Sequence, residues 1–291
     1  MLKNLLFITI LNLLSSIAVP SIIPADTIDI CGQKIILHNT TKNREGKIIK
    51  GYLAKDTDLY IADNKLKIRS GKIINLYDSG FIKDAYLANN VKIKLGNFEY
   101  EFLANTAIEI SEEGNIESGY FAKPTEIIKG EKKCTASYAY FNNDGTVRFI
   151  YFPYPTKLKI GNDTFTIRNN YRTFIDEMGN IDLTAIADEK NITILNNNFT
   201  ILPGEIRFYS TGNINYIANF LPTKINIDNN IYPTKSDIYF HENGTPEKIK
   251  LSEDITINVN DKLYELKAYE SSETRYVVFS ENGKFLRQSG W

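Results

Sequence analysis

The chain repeats itself. Glycines in turn-like settings stand at Gly46, Gly80, Gly114, Gly145, Gly179, Gly212, Gly244 and Gly283, spaced 34, 34, 31, 34, 33, 32 and 39 residues apart. A period of this length restricts a chain to an array of one supersecondary unit, because each unit buries its apolar face only against its neighbours. Four residues before the last seven anchors stand Leu76, Ile110, Phe141, Ile175, Phe208, Phe240 and Phe279. Two residues after them stand mostly aliphatic side chains such as Ile82, Ile116, Val147 and Ile181. Apolar residues flanking a polar pair and a glycine read as a hairpin. Turns such as Asn143-Asp144-Gly145 and Glu281-Asn282-Gly283 carry the dipeptides that favour one most strongly.

A second landmark follows each anchor: Tyr52-Leu53-Ala54, Tyr86-Leu87-Ala88, Tyr120-Phe121-Ala122, Tyr151-Phe152-Pro153, Ala185-Ile186-Ala187 and Phe220-Leu221-Pro222. Pro, Ala and Asp around these points interrupt pairing. Short alternating stretches come next, such as Lys92-Ile93-Lys94-Leu95 and Lys157-Leu158-Lys159-Ile160. A second turn such as Gly96-Asn97 or Asp228-Asn229 follows, then another alternating stretch such as Phe165-Thr166-Ile167. Alternation with period two predicts strands with one covered and one wet face. Each unit therefore holds about four short strands and two tight turns. Composition agrees: 41 Ile and 31 Asn among 291 residues supply strands and turns. Beyond the N-terminal leader no stretch shows helical periodicity. Seven units cover residues 46 to 283 without a Pro, Gly or Ser-rich linker, which predicts one all-β repeat domain over residues 26–291.

The unit resembles the tandem β-hairpin repeats of uncharacterised exported bacterial proteins of the β-flower kind, a shallow ring of hairpin petals. More loosely, Phe240-His241-Glu242-Asn243-Gly244 and Phe279-Ser280-Glu281-Asn282-Gly283 are similar to MORN-variant repeats, whose units are shorter. The resemblance implies a fold, and it brings no catalytic residues. Nearly equal units with a distinct end favour closure into a shallow barrel or flower, which removes sheet edges. The alternative is an open single-sheet or solenoid array. Residues Tyr269 to Thr274 read as an insertion in the last unit.

The N-terminus predicts export. One lysine, Lys3, precedes an apolar run from Leu5 to Ala18, and Pro20 and Pro24 then break it. This is the anatomy of a signal peptide, taken as residues 1–25, with cleavage after Ala18 or Ala25. The mature chain is accordingly not expected to be a transmembrane protein: its strands are shorter than barrel strands need, and Lys is interspersed throughout. An exported chain can oxidise its two cysteines. Cys31 and Cys134 are the candidate disulfide, worth about 4 kcal/mol for so long a loop; two unrelated thiols are the alternative.

No constellation for chemistry stands out. The two histidines, His38 and His241, are distant in sequence, and His241 occupies a hairpin position filled by Ser, Asp or Tyr in other units. Carboxylate pairs such as Glu112-Glu113 and Asp176-Glu177 lie in exposed turns. No catalytic residue, cofactor or metal site is expected. A formal net charge of -1 argues against nucleic-acid binding. The sixth residue after the anchor is Tyr52, Tyr86, Tyr120 and Tyr151 in the first four units, a candidate ligand-facing stripe; repeat packing is the plainer reading of the same pattern. The expectation is a secreted or periplasmic, non-enzymatic binding or scaffolding protein of the cell envelope. Its partner would be an envelope protein, glycan or lipid. A carbohydrate-active enzyme and a membrane-associated β protein are the alternatives.

Overall fold

The computed structural model describes residues 25–30, 32–61, 64–130, 132–268 and 275–289. The predicted leader up to residue 24, Cys31 and the Tyr269–Thr274 segment lie outside them. The described residues are all-β. Strands β1 (Ala25–Ile30), β2 (Gln33–Lys42), β3 (Ile48–Leu53), β4 (Thr57–Ile61), β5 (Asn64–Ile68), β6 (Ile73–Leu76) and β7 (Ile82–Tyr86) open the chain. They are followed by β8 (Val91–Leu95), β9 (Phe98–Phe102), β10 (Ala107–Ile110), β11 (Ile116–Lys129), β12 (Lys132–Phe141), β13 (Val147–Tyr151), β14 (Thr156–Ile160) and β15 (Asp163–Ile167). Then come β16 (Thr173–Ile175), β17 (Ile181–Ile186), β18 (Lys190–Ile194), β19 (Asn197–Ile201), β20 (Gly204–Phe208) and β21 (Ile214–Ile227). The last are β22 (Asn230–Phe240), β23 (Pro246–Ile249), β24 (Ile255–Val259), β25 (Lys262–Leu266), β26 (Val277–Phe279) and β27 (Phe285–Gln288).

The anchors build an antiparallel meander. Its order is β1-β2-β3-β6-β7-β10-β11-β12-β13-β16-β17-β20-β21-β22-β23-β26-β27. Each anchor closes one hairpin. Gly80 N–H bonds Tyr77 O at 2.9 Å, Tyr77 N–H bonds Phe81 O at 2.8 Å, and the register then slips by one residue. Among the anchor-turn residues only the glycine is left-handed, so these are three-residue loops ending in a glycine bulge. Paired left-handed residues, as a type I′ two-residue turn requires, occur instead at three of the second turns: Leu195-Asn196, Asp228-Asn229 and Asn260-Asp261. Among the described residues no pairing joins β27 to β1.

The second turns build a second row. Hairpins β4–β5, β8–β9, β14–β15, β18–β19 and β24–β25, with the outer halves of β11–β12 and β21–β22, line up over one face of the meander. Single backbone pairs tie the row down, such as Phe102 to Phe121 and Ile201 to Phe220. In β4 and β5 Leu59, Ile61, Leu66 and Ile68 are buried, while Asp58 and Tyr60 face solvent. The buried residues of row and meander form one continuous core.

Two units depart from this plan. The regular units break the chain between hairpin row and meander. In the units with the two shortest spacings, β11–β12 and β21–β22 run unbroken through both layers, bending at Tyr120/Thr125 and Asn219/Thr223. Pro124 and Pro222, which cannot donate to a ladder, sit inside these bends.

The row is offset. From β8–β9 to β21–β22, each of its hairpins reaches the anchor turn two units further on. A Cβ on Gly130, at the β11–β12 tip, would stand 2.6 Å from Met178 O, and one on Gly179 would overlap Lys129 O. The same offset pairs the residue 20 places after one anchor with the residue four places before the anchor two units ahead. The pairs are Tyr100 with Phe141, Phe165 with Phe208, Phe199 with Phe240 and Tyr232 with Phe279, at centroid distances of 5.5, 5.4, 5.7 and 5.0 Å. Such ring pairs add about 0.5–1.5 kcal/mol each beyond the area they bury. In two further units the same two positions hold Leu66 and Ile110, and Cys134 and Ile175.

Neighbouring units are also stitched at their turns. The hydroxyls of Tyr77 and Tyr209 donate to Ile110 O and Phe240 O in the next unit, at 3.1 and 2.7 Å. His241 stands at the same repeat position, and its Nε2 meets Phe279 O at 3.2 Å. That contact gives His241 a structural task.

Candidate functional site

Because side chains alternate across a strand, the meander residues that point away from the hairpin row form an open face. Register places them in one unbroken cross-strand line, from Asn75 and Asp84 through Glu109, Ser118, Tyr140, Phe149, Phe174, Leu183, Arg207, Tyr216 and Tyr239 to Lys248, Val278 and Arg287. The line divides into three parts.

The first part is polar. Asn75 Nδ2 donates to both Asp84 carboxylate oxygens at 2.8 and 3.0 Å. Ser118 Oγ donates to Glu109 Oε2 at 2.7 Å.

The second part is a ladder of uncharged rings on β11, β12, β13 and β16. Tyr138 lies 4.8 Å from both Tyr120 and Tyr151. Tyr140 stacks on Phe149 at 5.1 Å, and Phe149 meets Phe174 at 5.2 Å. The Tyr138–Tyr151 and Tyr140–Phe149 planes are only 22° and 13° apart, so these rings stack nearly parallel. Burial among them pushes the Tyr138 hydroxyl up to about 12.

The third part pairs each ring with a cation. Arg207 lies over Tyr216, Lys248 over Tyr239 and Lys250 over Tyr276, each 5.4 Å from the ring centroid. Tyr216 and Tyr239 are 4.5 Å apart. Asp237 joins this group, accepting from the Tyr216 hydroxyl at 2.5 Å and pairing with Lys250 at 2.6 Å. Its φ of 50° is left-handed, a conformation that costs an L residue about 1–2 kcal/mol. Burial, and then the bond to Asp237, holds the Tyr216 hydroxyl well above the ordinary tyrosine value.

All four tyrosines picked out from the sequence lie on this face, and two of them share a neighbouring ring. Tyr120 and Tyr151 are joined through Tyr138. Tyr52 is exposed opposite Ile73, and Tyr86 stands opposite Ala107 with the Lys72 ammonium over its ring. The sequence pattern missed Tyr138, Tyr140, Phe149, Phe174, Tyr239 and Tyr276. The alternations Tyr138-Ala139-Tyr140 and Phe149-Ile150-Tyr151, on two strands expected to pair, were the available signal.

The carboxylates Glu109, Glu205 and Asp237 each have a partner of their own on this face: Ser118 for the first, Tyr171 and Arg207 for the second, Tyr216 and Lys250 for the third. Among the described residues no group of three His, Cys, Asp or Glu could hold a metal ion, and no helix is long and apolar enough to cross a membrane. Cys134 carries a free thiol, pushed up to about 11 by burial; its expected disulfide partner Cys31 is outside the described residues. No family model and no curated protein matches the chain.

Proposed function

We propose that this chain is an exported, non-enzymatic binding module of the cell envelope, and that the open face of its meander is the recognition surface. The observation that carries the reading is the uncovered sheet face, with ladders of tyrosine and phenylalanine across neighbouring strands and a polar stretch beside them. Tyrosine brings a large, rigid contact area and a hydroxyl at low entropic cost, which is why recognition surfaces are rich in it. Repeat arrays commonly use such extended faces. We read the array as open, with the β-flower ring as the alternative. The partner is an envelope protein, glycan or lipid that lies across several strands at once.

The test compares the mature protein with a Tyr138→Ala/Phe149→Ala variant. Both are incubated with envelope protein extract, insoluble cell-wall glycan and lipid vesicles, and sedimented or captured. The reading expects one fraction to retain the mature protein and to lose the folded variant. Equal retention of both, or none of either by any fraction, contradicts it.

A further inference from the structure

The ring pairs of the core leave out two units, and one of these stands beside a cavity. Four of the offset pairs join two rings; the positions held by Leu66 and Ile110 carry none, nor do those beneath the β11–β12 hairpin, Cys134 and Ile175. Beside these two side chains the structure has a cavity of about 320 Å³, at the lower end of the range for small-molecule sites. Its floor is apolar, with Phe152 and Leu158 beside Cys134 and Ile175, and four lysines line it: Lys129, Lys132, Lys133 and Lys159. Among the described residues no carboxylate lines it, although the chain as a whole has 35 acidic against 34 basic side chains. Ser210 and Thr211 add hydroxyls from a neighbouring anchor turn.

We infer that this cavity is a binding site for a small anion carrying one aromatic ring system, such as an aromatic carboxylate or sulfonate. The ring takes the place that Tyr100, Phe165, Phe199 and Tyr232 fill in other units, over Ile175. The anionic group meets the lysines. Lys129 and Lys132 are available for it without breaking an ion pair. Lys129 Nζ bonds Ile175 O at 3.0 Å and also Val147 O, and Lys132 Nζ bonds the Asn180 side-chain oxygen. Exchanging such a neutral acceptor for an anion adds the attraction of opposite charges to the bond. Lys133 already pairs with Glu126 and contributes less. This site lies between the hairpin row and the meander, so it is separate from the open face and does not depend on the function proposed for it.

The test is a fluorescence titration of the full mature chain with anilinonaphthalene sulfonate, repeated with uncharged phenylnaphthylamine. The folded protein should bind the sulfonate saturably at one site and the uncharged analogue at least about tenfold more weakly, a difference of roughly 1.4 kcal/mol. Cys134→Phe, with an unchanged far-ultraviolet spectrum and cooperative melting, should abolish binding. Lys132→Met is a second variant that leaves the floor intact, and it should weaken sulfonate binding about tenfold while leaving the analogue unaffected. Undiminished binding in either folded variant would overturn the assignment. So would equal affinity for the charged and uncharged probes, or no saturable binding at millimolar sulfonate.

Discussion

The two long hairpins, β11–β12 and β21–β22, are the same device built twice. Each runs through both layers, each carries a proline at its bend, and each brings rings to the open face. They differ underneath. At β21–β22 the offset position is Tyr232, buried and packed edge-on against Phe279 at 5.0 Å. At β11–β12 it is Cys134 against Ile175, beside a cavity lined by four lysines. Above them the contrast continues: the rings over β11–β12 stack on other rings, whereas those over β21–β22 each carry a cation. A repeat scaffold tolerates one underfilled unit because its neighbours supply the shared core. One backbone plan thus supports a closed, self-satisfied unit and one with room for a guest.

Substitutions at the offset position should separate the two units most. Tyr232→Ala should cost about 3–5 kcal/mol in urea unfolding, as large-to-small changes do in a filled core. Cys134→Ala removes one sulfur atom beside an existing cavity and should cost less than about 1 kcal/mol. Equal losses would mean that the two sites are packed alike.

The hairpin tips come next. Gly179 and Gly283 are both left-handed, so alanine at either costs about 1–2 kcal/mol. Gly179 meets the backbone of the β11–β12 tip, whereas a Cβ on Gly283 would make an ordinary contact at 3.5 Å with Ile227 Cγ2. Gly179→Ala should therefore lower the melting temperature more than Gly283→Ala.

Alkaline titration probes the rings. Burial raises Tyr138 over the first hairpin, and Tyr232 and Tyr276 around the second, to about 12. A folded pKa above the unfolded value of about 10 contributes stability that is present below that value and lost as pH rises through the folded one. Unfolding free energy should therefore fall between about pH 10 and 12. Tyr276→Phe should blunt that fall. A slope unchanged by the substitution would show that Tyr276 does not contribute.

The smallest effect concerns the β18–β19 tip. Leu195 is left-handed at φ 43° and exposed, at a repeat position held by Gly96, Gly130 and Gly161 elsewhere. Leu195→Gly should raise stability by about 1 kcal/mol. A loss would show that the packing of its side chain outweighs the strain.

Much of this architecture was legible in the sequence, for stated reasons. Glycine anchors and period-two alternation report local geometry, so the all-β hairpin repeat and most of its turns followed directly. Even the long hairpins leave a trace, since the spacings of 31 and 32 residues belong to the units that lack a connecting loop. The turn type did not follow, because an Asn-Gly pair suits more than one loop and hydrogen bonding decides between them. The ring ladder was half visible: Tyr120 and Tyr151 fall on the repeat stripe, but Tyr138 joins them from a strand whose register the pattern did not specify. The cavity was hidden, because it depends on the two-unit offset between layers. With that offset known, the sequence narrows it to two units, in the series Leu66, Tyr100, Cys134, Phe165, Phe199 and Tyr232.

The melting temperature of Cys134→Phe tests the comparison most directly. If the β11–β12 unit is underfilled where β21–β22 is filled by Tyr232, phenylalanine supplies a ring over Ile175 and the melting temperature rises, in line with the roughly 0.5–2 kcal/mol that filling a cavity commonly brings. A fall in melting temperature would mean that Cys134 is as tightly packed as Tyr232, and it would contradict the account.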